Sequence, residues 1–181
     1  MLNNKKNNVD RKGVSEIIAR YLVLLAIVLL FTKIEIIYNF FFILTLEPLK
    51  WILGALYTLT SYGEIIYLDN ITIEIIPACV AFSAYILLLI LNLTTHMKIA
   101  KRVLSVIFSF LLLLVINILR IFLLSVLVVN AYSGFEIVHK VMWYALSIVI
   151  VVGIWFLTLK IFKIKEIPVY SDIKKVIKNV K

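Results

Sequence analysis

Long apolar runs, separated by short polar breaks, dominate the chain, and four of them reach the length of about 20 helical residues that a bilayer crossing needs. They cover residues 15–37, 79–95, 101–130 and 139–162. Residues 36–61 are apolar too, but Glu47-Pro48 interrupts them, and a proline inside a helix removes a donor and crowds the preceding turn. One kinked helix, two short crossings and a re-entrant pair all fit that stretch, so the pattern predicts five or six transmembrane helices. Residues 62–76 change period: Ile71, Ile73 and Ile75 alternate with Thr72 and Glu74, and Asp69-Asn70 has turn chemistry. A short β-hairpin on the membrane surface is expected there. The expected fold class is an all-α polytopic membrane protein with that one β element.

The composition agrees with lipid as the main solvent. Hydrophobic residues make up 64% of the 181 positions, and the mean hydropathy is +1.09. Soluble domains hold roughly half apolar residues. A formal charge of +9 could suggest nucleic acid, but the basic residues sit in three blocks rather than on one face, so no nucleic-acid partner is expected. The blocks are Lys5, Lys6, Arg11 and Lys12; Lys98, Lys101 and Arg102; and Lys160, Lys163, Lys165, Lys174, Lys175, Lys178 and Lys181. The positive-inside rule puts all three in the cytoplasm, including both termini. The hairpin, with Glu64, Asp69 and Glu74, and the loop 131–138, with Glu136, then face outward.

The run from Ile17 to Phe31 has no small-residue cleavage site after it, which predicts a retained first helix in a cell-membrane protein. One membrane domain spans 1–181: a basic tail at 1–14, N-terminal helices at 15–61, a core at 62–160 and a second basic tail at 161–181. Asn70-Ile71-Thr72 also matches a glycosylation acceptor, a triplet frequent by chance.

Three side chains carry candidate chemistry. Cys79, the single cysteine, follows Ile76-Pro77, a proline suited to a first helical turn. Alone in an apolar helix it reads as packing filler, although a helix N-terminus favours a thiolate. With one cysteine there is no internal disulfide, and no Cys/His cluster suggests a metal, so neither metal nor cofactor is expected. Arg120 lies in LLLLVINILRIFLLSVLVV, where a mid-helix guanidinium costs about 2.5–3.5 kcal/mol, so a buried partner or polar cavity is required. Asn117, three residues earlier, shares its face and could orient the guanidinium. His139 opens the last apolar run; His96, in the basic loop, reads as an ordinary solvated residue. The predicted topology brings Cys79, Arg120 and His139 to one depth on the outer side. A nucleophile, a cation and a base so placed could carry out acyl transfer through a thioacyl intermediate.

Pro77-Ala78-Cys79, Asn117-x-x-Arg120-Ile121 and His139, in this order and spacing over residues 62–160, resemble the exosortase and archaeosortase family of integral-membrane cysteine enzymes. The resemblance implies Cys79 as nucleophile, His139 as general base and acid, and Arg120 as stabiliser of the oxyanion or thiolate. It further implies, as partners, secreted proteins that end in a short motif, a transmembrane helix and a basic cluster, which the enzyme cleaves and transfers to a lipid or other surface acceptor. The Ile, Lys and Asn bias leans toward the archaeal branch. After Cys79 the chain reads Val80-Ala81-Phe82-Ser83, where many relatives are more polar or contain glycine.

Two other readings stay open on the residues alone. A substrate-binding membrane subunit of a small-molecule transporter would use Arg120 to hold an anion, with Cys79 incidental. A family member reduced to a binding or chaperone module would not need all three residues.

Overall fold

The computed structural model describes residues 35–69, 71–95 and 97–164, together with positions 22 and 26. The predicted helix at 15–37 lies outside them except at its last residues, as do both basic tails, apart from residues 161–164, along with His96 and Asn70 of the acceptor triplet. The described residues are mostly helical, with one small antiparallel sheet.

Helix α1 runs Glu35–Gly54 straight through Pro48. Strands β1 (Leu59–Tyr62), β2 (Ile65–Leu68) and β3 (Ile71–Glu74) come next, and then a 3-10 turn, Pro77–Val80. Helix α2 spans Phe82–Thr94, α3 Ile99–Val129 and α4 Phe135–Val141; a π-helical turn, Met142–Leu146, joins α4 to α5, Ser147–Ile161. Four stretches are long and apolar enough to cross a membrane: Glu35–Gly54, Pro77–Thr94, Ile99–Val129 and Phe135–Ile161. Residues 36–61 therefore supply one helix among these, and after it the chain enters strand β1 rather than a second crossing.

The β element is larger than the hairpin expected at 62–76. It is a three-stranded meander in the order β1-β2-β3, and it begins at Leu59. Gly63, at φ +58°, takes the first central position of the two-residue turn between Tyr62 and Ile65, where a II′-type turn favours glycine. Leu59-Thr60-Ser61-Tyr62 looks from its apolar neighbours like a continuation of the helix. Its fate is settled instead by pairing with β2, in the register Leu59↔Leu68 to Tyr62↔Ile65.

Alternation along β2 buries Ile66 and Leu68 and leaves Tyr67 exposed. The buried pair joins Leu46, Leu49 and Leu53 of α1, Ile75 and Ile121 of α3 in one apolar cluster. A second cluster joins Phe41 of α1, Val80, Tyr85 and Leu88, Leu113 of α3, and Val151, Ile154, Trp155 and Leu159 of α5. The long helix α3 contributes to both.

Polarity in the bundle runs opposite to that of a soluble protein. Leu104, Ile107, Leu111, Val115, Leu119 and Leu123 form an exposed stripe along α3 at three- to four-residue spacing. Its buried side carries Ser105, Ser109, Asn117 and Ser125. A buried polar network ties three helices: the Ser105 hydroxyl donates to Asn92 Oδ1 at 2.8 Å, Asn92 Nδ2 donates to Ser109 Oγ at 3.4 Å, and Ser109 and Thr158 share a hydrogen bond at 3.1 Å. Such an apolar exterior with internally satisfied polar groups is compatible with a membrane protein.

Interhelical hydrogen bonds in bilayers average about 0.6 kcal/mol and reach roughly 1.7 kcal/mol. Asn92→Ala, which removes two of them, should therefore cost about 1–3 kcal/mol, read as an earlier midpoint of SDS-induced unfolding in mixed micelles. An unchanged midpoint would show that the network contributes nothing.

Candidate active site

Cys79 does not open an α-helix. It is the third residue of the 3-10 turn Pro77–Val80, whose Cys79 N–H donates to Ile76 O at 2.8 Å. Ala81 then takes φ 56°, ψ 33°, a left-handed conformation unusual for alanine, and α2 proper starts only at Phe82. Pro77 suits the first position of this turn because its missing N–H has no helical partner to lose. The expected N-terminal helix field at Cys79 thus begins three residues downstream of it. The thiol is half-buried.

Asn117 anchors the turn. Its Nδ2 donates to the Cys79 carbonyl at 2.8 Å, across from α3. Sequence spacing pairs Asn117 with the guanidinium one turn along the same face; the structure gives its amide to the Cys79 backbone. Two consecutive turns of α3 therefore serve the site, one holding the Cys79 peptide and the next presenting Arg120.

Arg120 Nη1 donates to Ser147 Oγ at 3.0 Å. The Ser147 hydroxyl in turn donates to Met142 O at 3.0 Å, five residues back, across the π-helical turn. A π-turn widens the helix by one residue and often marks a functional site. Here it places a hydroxyl level with the guanidinium. Arg120 Nε is buried without a hydrogen-bond partner, and no carboxylate forms an ion pair with Arg120 among the described residues.

His139 lies in the second turn of α4 rather than at a helix start. Its ring stacks on Phe135, with centroids 5.4 Å apart, and meets the edge of Trp143 at 5.9 Å. These are i−4 and i+4 neighbours on one helical face, which fix the imidazole plane.

A single cavity of about 190 Å³ gathers the three candidates: Cys79 from the 3-10 turn, Arg120 from α3 and His139 from α4. Ile73, Glu74, Ile75 and Ile76 form one wall; Ile121, Leu124, Ser125 and Val128 of α3 form another, and Phe135, Met142 and Trp143 complete it. The three reactive side chains share this space without a hydrogen bond between any two of them. A smaller void of about 30 Å³ behind Arg120 is lined by Asn117 and Ser147, among others.

Ser147 and the two aromatic rings flanking His139 escape notice in the sequence, and Glu74 reads there only as part of the hairpin. Ser147 had one available signal, as a lone hydroxyl in an apolar run, since a buried arginine needs a partner. Among the described residues no cluster of His, Cys, Asp and Glu has the makings of a metal site. No protein-family model matches the chain, and no curated protein or solved structure does either.

Because Cys79 is the single cysteine, thiol labelling reads its turn without ambiguity. Asn117→Ala removes a hydrogen bond worth about 1 kcal/mol, which corresponds to local opening roughly five-fold more populated. Maleimide should then modify Cys79 several times faster in the folded protein. An unchanged rate would mean that Asn117 does not hold the turn.

Proposed function

We propose that the protein is a membrane-embedded cysteine peptidase or transpeptidase that cleaves the C-terminal sorting signal of secreted proteins. The observation that carries this reading is the cavity into which three separate elements bring Cys79, Arg120 and His139. A thiol, an imidazole and a guanidinium around one apolar pocket is a set suited to acyl transfer on a peptide. The resemblance of Pro77-Ala78-Cys79, Asn117-x-x-Arg120 and His139 to the exosortases and archaeosortases supports the same chemistry.

In this mechanism the imidazole of His139 takes the Cys79 proton, and the sulfur attacks the scissile carbonyl. A sulfur–carbon bond forms and the oxygen gains negative charge, which the Arg120 guanidinium stabilises. The carbon–nitrogen bond then breaks, and the imidazolium gives its proton to the departing amine. A second nucleophile, water or an amine or hydroxyl on a surface or lipid acceptor, gives its proton to His139 and attacks the thioester. The carbon–sulfur bond breaks, the trimmed protein leaves, and the Cys79 thiolate recovers the proton from the imidazolium. Ser147 holds Arg120 in place through Nη1.

The basic loop and tails on the cytoplasmic side would leave the sheet, the 3-10 turn and α4 at the outer face. There a secreted tail, anchored by its own helix, can reach Cys79.

The test uses a secreted protein of the same cell whose C-terminal helix and basic tail are removed when this chain is co-expressed. Cys79→Ala should abolish trimming; His139→Ala should slow it by about 10²–10⁴-fold, and Arg120→Ala by about 10²–10³-fold. The check is the ratio of full-length to trimmed protein with all variants at equal membrane levels. Normal trimming by Cys79→Ala would refute the peptidase. If Arg120→Ala then abolished binding of a small anion, the transporter-subunit reading would take its place.

A further inference from the structure

Among the described residues the outer edge of β3 is unpaired, and its C-terminal end, at Ile73 and Glu74, meets the cavity that Cys79 also lines. The hydrogen-bond phase of the sheet comes from two contacts. Ile75 N–H donates to Glu64 O at 2.8 Å, and Asp69 N–H donates to Thr58 O at 3.1 Å. With the register Ile65↔Glu74 to Leu68↔Ile71, the ladder alternates so that Ile71, Ile73 and Ile75 turn their peptide groups toward β2. Thr72 and Glu74 turn theirs away. Among the described residues no backbone group bonds to these outward N–H and C=O groups.

That edge faces the reactive pocket. Side chains of a strand alternate between its two faces, yet Ile73 and Glu74, the last two residues of β3, both line the one cavity, and Ile75 and Ile76, just after the strand, continue that wall. An unbroken run of this kind places the cavity at the strand's edge, not over one face. Cys79 comes three residues after Ile76, within the turn that continues the strand.

We infer that the free edge of β3 binds the substrate as an extended peptide, which adds a fourth strand to the sheet and delivers its scissile bond to Cys79. This rests on the peptidase reading above. The edge supplies main-chain hydrogen bonds and so is indifferent to sequence, as in other cases of strand addition. Selectivity comes from the pocket. Its volume of about 190 Å³ exceeds the roughly 150 Å³ apolar cavity that accommodates a benzene ring, which is room for one large side chain. With walls of isoleucine, Leu124 and Trp143, it favours an apolar one.

Proline provides the test, because it removes an N–H but is tolerated where that N–H points off a sheet edge. In the full chain, co-expressed with the secreted protein trimmed in its presence, Thr72→Pro should slow trimming at least ten-fold. Ser61→Pro, at an outward position on the opposite edge, should leave it unchanged. The second measurement does not depend on the proline variant folding. Cys79→Ala leaves the chain free of cysteine, and Thr72→Cys then supplies one thiol. Single cysteines moved along the substrate residues that flank the cleavage point should cross-link to it through a short bis-maleimide with a two-residue period. Uniform or absent cross-linking, together with trimming that survives Thr72→Pro but stops in Cys79→Ala, would overturn the edge site and leave the peptidase standing. Trimming that survives Cys79→Ala would remove both.

Discussion

Helix α3 must carry a guanidinium through an apolar bundle, and much of the site's construction answers that demand. A charge at Arg120 needs hydrogen-bond partners and a polar opening, or the helix cannot rest where it does. Ser147 provides one partner, and the cavity provides the opening. To bring Ser147 level with Arg120, the α4–α5 rod departs from regular α-helix through Met142–Leu146, and the hydroxyl then spends its own proton on Met142 O. His139, in the helix just before that turn, and Trp143, within it, both line the cavity. The irregular turn therefore lies between the candidate base and the partner of the cation.

The second constraint is at Cys79. A plain helix from Pro77 to Thr94 would commit the Cys79 backbone to intrahelical bonds. The 3-10 turn closed by left-handed Ala81 leaves the Cys79 carbonyl to accept from Asn117 instead. That bond joins the turn to α3 one helical turn from Arg120. Cys79 and Arg120 are thereby set by the same rigid rod, while His139, the candidate base, comes from a helix that packs against it. Preorganisation of this sort limits the reorganisation needed when a tetrahedral oxyanion forms.

Hydropathy made three of the four long helices legible, because a run of about 20 apolar residues has few other physical outcomes, while the fourth, Glu35–Gly54, is one of three outcomes that the pattern leaves open for residues 36–61. It also made Arg120 conspicuous, since a charge amid leucine and isoleucine demands an explanation. What the sequence could not display was any feature decided between distant segments. Leu59–Tyr62 is apolar enough to prolong α1 and becomes a strand only because β2 is there to pair with it. Pro48 leaves one helix, two crossings and a re-entrant pair open, and it sits within one helix, with Leu46, Leu49 and Leu53 packed against the sheet. Asn117 was recognisable as a polar residue on the right face, but its choice of the Cys79 carbonyl over Arg120 depends on where the 3-10 turn lies. Ala81 gave no hint of a left-handed conformation, which glycine would have advertised.

The polar chemistry of the bundle divides between stability and reactivity. Near the α2–α3 loop, Asn92, Ser105, Ser109 and Thr158 satisfy one another and enclose no reactive group. Other polar groups are left incompletely satisfied among the described residues: Arg120 Nε, Arg102 Nε, Tyr85 Oη and Trp155 Nε1 have no hydrogen-bond partner, Cys79, Arg120 and His139 do not bond to each other, and the outer edge of β3 is open. Unsatisfied groups are expensive in an apolar setting, and a sequence could have removed those at the cavity by closing it with larger side chains. On the proposed reading, those that border the pocket of Cys79 and His139 are what a ligand with its own carbonyl and amide groups would complete. An extended peptide carries those groups in the required alternation.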